Sequence, residues 1–117
     1  MNKLYFNLQI DCESTQFALR NPALGERAIR GLGDVLAETG TKGTFLVIPG
    51  DTAAHAKIYQ ELEQAGHEVG LHYHPWIEGR CEFLGSEGPD AQRALLAEAM
   101  DRHAQAMGRR PFAFCPG

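Results

Sequence analysis

The 117-residue sequence has few cysteines, one tryptophan and no stretch rich in lysine or arginine. The cysteines Cys12, Cys81 and Cys115 are odd in number and show no Cys-x-x-Cys spacing. Neither a set of disulfides nor a thiolate zinc site is therefore indicated, and free thiols are the simpler interpretation. The formal net charge of −4 and the lack of a basic stretch give no electrostatic footprint for a nucleic acid or an anionic membrane. We exclude both as partners at this stage.

Long apolar runs are also missing. Residues 1–8 lead directly into a strand-like pattern, without a membrane-span-sized segment or a small-residue cleavage site. We therefore expect a cytoplasmic location. Apolar residues make up 44% and charged residues 22% of the chain, which is typical of a folded soluble domain and not of disorder. The length predicts one domain, spanning residues 1–117.

Strand and helix patterns alternate along the chain. Short apolar runs rich in aromatic or β-branched residues predict strands, and apolar residues at three- and four-residue spacing predict helices. The predicted strands cover residues 4–10, 44–48, 68–71 and 111–115, and the predicted helices cover residues 24–39, 51–65 and 90–107. Asp51 is predicted to cap the second helix. This order predicts an α/β fold of parallel strands joined by crossover helices.

Polar clusters follow three of the predicted strands: residues 11–15, residues 72–76 and Pro116-Gly117. In parallel α/β folds, ligands bind at the carboxyl ends of the strands, whether the sheet is open or closed into a barrel. We therefore expect a functional site to be formed from these clusters.

Asp11 and Glu13 lie two residues apart, so an extended backbone projects both carboxylates to the same side. One carboxylate is suited to bind a metal while the other accepts a proton. A loop cluster, or a cap for the backbone before the first helix, is the alternative interpretation.

His72 and His74 repeat the same spacing at the end of the third strand. Two imidazoles and a carboxylate with an open fourth position form the ligand set of many hydrolytic zinc sites. The alternative is a solvated loop in which both rings bond to water or backbone. The acidic pair on another strand end favours the metal site.

Other residues carry weaker signals. His55 and His103 fall in helix patterns and are interpreted as surface or helix-packing residues, and His67 as a partner for a helix terminus. Trp76 is either a stacking wall for a sugar or an ordinary buried aromatic. Cys12 is predicted to point into the core as a small hydrophobe.

Four segments together resemble the polysaccharide deacetylase family, carbohydrate esterases that remove N- or O-acetyl groups from chitin-like and peptidoglycan-like polymers. Residues 8–13 are similar to the first family motif, with two acidic residues one position apart, and residues 42–47 to its second strand. Residues 65–74 resemble the strand and histidine motif that follow, and residues 110–117 the start of the third motif. The match runs through nearly the whole chain in the family's order.

This resemblance implies parallel (β/α) units of a distorted, incomplete (β/α) barrel of the glycoside hydrolase/deacetylase type. It also implies a divalent metal, usually zinc, and hydrolysis of carbon-nitrogen bonds other than peptide bonds by a metal-bound water. By position, Asp11 becomes the general base, and Glu13 and His72 become metal ligands. His74 is the second histidine ligand by geometry, because Trp76 stands where the family usually has that histidine.

The sequence departs from the family pattern at further points. Cys115 stands where the third motif usually has an arginine that orients the base, and the later motifs, which supply the pocket wall and a histidine general acid, have no counterpart. The domain is therefore expected to be truncated relative to the family. Trp76, Pro116 and Gly117 are the expected substrate-binding residues, with a backbone N–H near Pro116 and Gly117 as a donor to the acyl oxygen.

Three functions stay open. The first is a metal-dependent deacetylase acting on an N-acetylated sugar. The second is a truncated or degenerate domain that binds a metal or a partner without turnover. The third is a hydrolase of small cyclic amides from the same superfamily, which suits a cytoplasmic chain. Four strands are too few to close a barrel, so we expect unpaired sheet edges that a second copy of the chain covers.

Overall fold

The computed structural model describes residues 2–16 and 21–117. Its strands are β1 (Gln9–Cys12), β2 (Thr44–Val47), β3 (Glu68–Tyr73) and β4 (Phe114–Pro116). Its helices are α1 (Pro22–Thr39), α2 (Pro49–Gln64) and α3 (Pro89–Met107), and two short 3₁₀ turns cover Pro75–Glu78 and Leu84–Ser86. The strands form one sheet in the order β1-β2-β3-β4, and every neighbouring pair is parallel. The predicted α/β fold with parallel crossover units is confirmed.

The helices end where the sequence marks their limits. Asn21 caps α1 by accepting a hydrogen bond from the Leu24 N–H at 3.0 Å. Gly40, Gly66 and Gly108 follow the three helices with φ values of 65°, 91° and 77°. Only glycine adopts this left-handed region without a steric penalty, so each of these glycines stops its helix.

Three predicted element limits or caps are wrong. The first strand is Gln9–Cys12 and not residues 4–10, because β2 begins at Thr44, which pairs with Gln9. Leu4 is 97% exposed. The last strand is likewise shifted, to Phe114–Pro116. Asp51 does not cap α2, which begins after Ile48 without a side-chain cap.

Strand alternation separates a core face from a site face. Cys12, Phe45 and Val69 pack with Ile29 of α1 and Ile58 of α2 in the main core. Because side chains alternate along a strand, the residues between them project to the opposite face of the sheet. Asp11, His72 and Cys115 belong to this second set, and Cys115 is the register partner of His72. The site described below lies on the face away from the helices.

A second cluster extends the core under α3. Leu71 and Tyr73 of β3 pack with Ala99 of α3, and α3 also packs along α2. Cys12 is 6% exposed, so its predicted core position is confirmed. No helix within the described ranges combines the length and apolar character needed to cross a membrane.

Candidate metal centre

Three predicted ligands come together at the carboxyl edge of the sheet. Glu13 follows β1 directly, His72 lies in β3 and His74 comes directly after β3. The Glu13 Oε1 atom lies 2.7 Å from His72 Nε2 and 2.9 Å from His74 Nε2. One ligand atom from each residue falls within 4.8 Å of the others. The two-residue spacing therefore directs both imidazoles to one carboxylate oxygen.

The backbone of β4 orients His72. Its Nδ1 lies 3.1 Å from the carbonyl oxygen of Cys115. A carbonyl oxygen only accepts, so Nδ1 carries a proton. The 2.7 Å contact between Nε2 and the Glu13 oxygen is a hydrogen bond only with a second proton between those two atoms, and a metal bound at Nε2 would replace that proton. Without it, the ring is the neutral Nδ1–H tautomer. This is the tautomer in which an imidazole binds a metal through Nε2, and a backbone carbonyl is a usual outer partner of such a ligand. The His72 side chain is 4% exposed, which holds the ring in place.

His74 is held by two neighbours. The Trp76 indole Nε1–H donates a hydrogen bond to His74 Nδ1 at 3.1 Å. Gly117 lies so close to the His74 ring that any side chain at position 117 would overlap it. Since Nδ1 accepts from Trp76, a neutral His74 carries its proton on Nε2, towards Glu13. Binding of a metal by His74 Nε2 therefore requires this proton to leave or the Trp76 hydrogen bond to break.

Asp11 lies beside the three ligands and not among them. A carboxylate oxygen of Asp11, a ring nitrogen of His72 and the Cys115 thiol fall within 4.8 Å of one another. Asp11 is exposed, so its carboxylate is open to solvent. Burial, and then the negative charge of Asp11, raises the pKa of the Cys115 thiol. Within residues 2–16 and 21–117, no hydrogen bond joins Asp11 to an arginine.

The predicted substrate-binding residues have mixed positions. Trp76 is 40% exposed next to His74, so part of the indole is open to solvent. The Gly117 N–H donates to the Tyr73 carbonyl oxygen at 2.9 Å, and Pro116 has no N–H. The expected donor to an acyl oxygen is thus engaged in the sheet, which corrects that expectation for Gly117.

A second polar cluster lies behind Glu13 and was not predicted. Asp51, with no exposed surface, accepts four hydrogen bonds from Ser14 and Thr15, and His55 Nε2 lies 3.2 Å from Ser14 Oγ. In the sequence, Asp51 comes after a Pro-Gly pair and before a helix pattern. An aspartate in that place predicts a helix cap and not a partner for Ser14 and Thr15. The contact between positions 37 residues apart has no local signature.

The other histidines take structural positions. His67 Nδ1 accepts a hydrogen bond from the Gly43 N–H at 3.2 Å, beyond the end of α2. His103 lies in α3 and has no exposed surface. Of its two predicted interpretations, a surface residue or a helix-packing residue, the structure supports the second. Burial lowers the pKa of both imidazoles, and the Lys42 charge contributes at His67. Burial also raises the pKa of the Cys12 thiol to about 12, which keeps it protonated.

A cavity of about 620 Å³ lies between β1 and α1. Asp11 and Glu13 contribute to its polar wall, and Ile10, Leu24 and Ile29 contribute to its apolar wall. Both carboxylates predicted to act in chemistry therefore border a concave surface as well as the sheet edge.

Comparison with known proteins gives a consistent result. Residues 24–117 match the polysaccharide deacetylase family. A proposed polysaccharide deacetylase from Mycobacterium smegmatis superimposes with a TM-score of 0.69 at 21% identity, over 92% of this chain and 41% of its own. The peptidoglycan deacetylase PdaC from Bacillus subtilis gives 0.68 at 20% identity, over 94% and 47% of the two chains. The polysaccharide deacetylase Bc1974 from Bacillus cereus gives 0.63 at 18% identity, over 94% and 46%.

At these identities the structural likeness shows the fold. The four parallel strands form a half-barrel like part of a deacetylase (β/α) barrel. The chain spans less than half the length of each of these three structures. Among curated proteins, none matches the chain significantly.

Proposed function

The chain belongs to the polysaccharide deacetylase family, and from this premise we propose that it provides the metal-binding and proton-accepting half of a hydrolase that removes acetyl groups from amide nitrogen. One observation carries the proposal: a single oxygen of Glu13 lies within 3 Å of Nε2 in both His72 and His74. An acetylated sugar is the substrate class that the family suggests.

The donor set fits a divalent metal. Two imidazole nitrogens and one carboxylate oxygen within 4.8 Å of one another are the protein ligands of many hydrolytic zinc sites, which keep a fourth position open. The hydrogen bond from His72 Nδ1 to the Cys115 carbonyl adds the outer partner that such histidines usually have. When bound by Glu13, His72 and His74, a zinc ion would supply a Lewis acid that polarises the acyl carbonyl and acidifies water.

The chain's own residues then handle the proton. Asp11 is exposed at the end of β1 and lies beside His72, so its carboxylate is placed to accept a proton from the attacking water. The hydroxyl group of that water joins the acyl carbon and the carbon-nitrogen bond breaks, with acetate and a free amine as products. The leaving amine needs a proton donor. We propose that this donor and the remaining substrate groove come from the half of the domain that the chain does not span, or from a second copy of the chain.

A second candidate function is metal binding without turnover. The Cys115 thiol lies beside Asp11, at the position where the family pattern has an arginine that orients the base. Among residues 2–16 and 21–117, no lysine or arginine forms a hydrogen bond or ion pair with Asp11, so this part of the chain offers no cation that would hold its carboxylate in place. A hydrolase of small cyclic amides is the third candidate.

Acetate release separates these candidates. The purified chain is loaded with zinc and incubated with an N-acetylglucosamine oligomer, with a small cyclic amide and with 4-nitrophenyl acetate, whose leaving group departs without a proton donor. Acetate release that is lost in Asp11→Asn, while zinc content is retained, supports the deacetylase. Bound zinc without acetate or ring-opened product supports binding alone, and turnover of the cyclic amide alone supports the third substrate class. Glu61→Gln, an exposed acid on α2, is the matched control.

A further inference from the structure

The buried carboxylate of Asp51 lies against the loop that follows the candidate metal ligand Glu13. Asp51 is in the first turn of α2 and has no exposed surface. Its Oδ2 accepts from the Ser14 N–H and hydroxyl at 2.7 and 2.8 Å, and its Oδ1 accepts from the Thr15 N–H and hydroxyl at 2.6 Å each. A buried charge is costly without such partners, so the four donors and the helix N-terminus compensate for the loss of water.

These four donors belong to the two residues that follow Glu13. Asp51 therefore fixes the backbone directly after the carboxylate ligand and does not touch that ligand. The second oxygen of Glu13 accepts from Gln16 Nε2 at 3.0 Å, so the loop also closes back on the ligand.

The loop packs tightly against a glycine of each neighbouring helix. A Cβ atom at Gly25 of α1 would overlap the Ser14 side chain, and a Cβ at Gly50 of α2 would lie 2.6 Å from Thr15 Oγ1. His55 adds a ring nitrogen 3.2 Å from Ser14 Oγ, at a residue whose φ and ψ of −127° and 25° interrupt α2. The loop is thus in close contact with both helices as well as bonded to Asp51.

We propose that Asp51 is a positioning residue: by fixing the loop after Glu13, it keeps the Glu13 carboxylate in contact with His72 and His74. This inference rests on the metal-binding function proposed above. The alternative is that Asp51 supports only the stability of the fold. A structural role changes the free energy of unfolding but leaves the metal affinity of the folded protein unchanged. A positioning role lowers that affinity.

The test is zinc affinity, measured by competition with a chromophoric chelator under conditions where circular dichroism shows each protein folded. Asp51→Asn keeps the size of the side chain but places an NH₂ group against two donors. We expect it to weaken zinc binding by up to about 10-fold, which is below most of the range for an outer partner that bonds directly to a metal ligand, because Asp51 acts on Glu13 only through the neighbouring backbone. Glu61→Gln makes the same charge change on an exposed position of α2 and should bind zinc like the wild type. Ile58→Ala, in the core of α2, should lower stability but not affinity.

A second variant covers the case in which Asp51→Asn does not fold. The Ser14→Ala/Thr15→Ala protein removes both hydroxyl donors and leaves both backbone donors, so it should weaken zinc binding, but by less than the loss expected of Asp51→Asn.

A folded Asp51→Asn protein with wild-type zinc affinity would overturn the positioning role while leaving the metal centre intact. A loss of zinc affinity in Ile58→Ala as large as that in Asp51→Asn would also overturn it. If Asp51→Asn does not fold, wild-type affinity in the double variant overturns the role. A wild-type chain that binds no zinc overturns the proposed function and this inference together.

Discussion

His72 and Cys115 are joined through the sheet: the imidazole Nδ1–H donates to the Cys115 carbonyl oxygen 3.1 Å away. They are register partners in β3 and β4, so strand pairing itself orients a candidate metal ligand. Within the described part of the chain, no backbone group bonds to the His74 ring, and its side chain is 20% exposed against 4% for His72. The two histidines should therefore contribute unequally to zinc affinity.

We expect His72→Ala to lower zinc affinity more than His74→Ala. Both variants lose one of three ligands, but only His72 is held in its binding tautomer by the backbone. Chelator competition on the two purified variants measures the difference. Equal losses, or a larger loss in His74→Ala, would show that the Cys115 hydrogen bond does not contribute to binding.

Trp76 should lower the zinc affinity of the chain, and its fluorescence should change when zinc binds. It is the one tryptophan in the sequence, and its indole donates to His74 Nδ1. Because this bond favours a proton on His74 Nε2, Trp76→Phe should raise zinc affinity by about 2- to 10-fold, the value of one ordinary hydrogen bond. In the wild type, zinc should change the intrinsic fluorescence with the same midpoint as the chelator assay. Unchanged fluorescence at saturating zinc would contradict this coupling.

His103 should make the fold less stable in acid. Burial lowers its pKa in the folded chain below the ordinary 6.5, so the unfolded chain binds more protons as the pH falls. The free energy of unfolding should therefore decrease as the pH falls through about 6.5. The decrease should stop once the pH is below the pKa of His103 in the folded chain. Urea titrations at several pH values, with a chelator present, measure this slope.

His103→Leu removes that titration. The slope should become smaller but not vanish, because the pKa of His67 is lowered as well. An identical pH dependence in the variant and the wild type would mean that His103 gains a proton as easily in the folded chain as in the unfolded one.

Two glycines of α1 should respond oppositely to alanine. A Cβ at Gly31 meets no atom within 4 Å, so Gly31→Ala should raise the free energy of unfolding by about 0.5–1 kcal/mol. A Cβ at Gly25 overlaps Ser14, so Gly25→Ala should lower it by about 1–3 kcal/mol. Thermal or urea unfolding of both variants provides the comparison. A stabilised Gly25→Ala protein would show that the Ser14 loop moves without cost.

Much of the fold follows from local patterns. The β-branched and aromatic run at residues 44–48 predicted a strand, and Thr44–Val47 forms one that is buried along its whole length, as strands of a parallel sheet covered on both faces are. The two-residue spacing of His72 and His74 predicted that both rings face one point, and both reach Glu13. Strand periodicity alone is sufficient for that relationship.

Long-range partners could not be predicted in the same way. The apolar residues Leu4 and Phe6 resembled a strand, but β2 offers no partner there and both remain exposed. Asp51 had the sequence signal of a cap, whereas its partners, Ser14 and Thr15, lie more than 30 residues away. Such contacts depend on how the helices pack on the sheet, which periodicity does not encode.

The most direct test of the account is the zinc content of the purified chain, measured by elemental analysis beside Glu13→Gln and the Glu61→Gln control. Glu13→Gln keeps the shape of the side chain but removes the anionic ligand that both histidines contact. We predict about one zinc per chain in the wild type and the control, as for a single site with three protein ligands, and its loss in Glu13→Gln. A wild-type chain without zinc after reconstitution, or a Glu13→Gln chain that retains it, would contradict the metal centre.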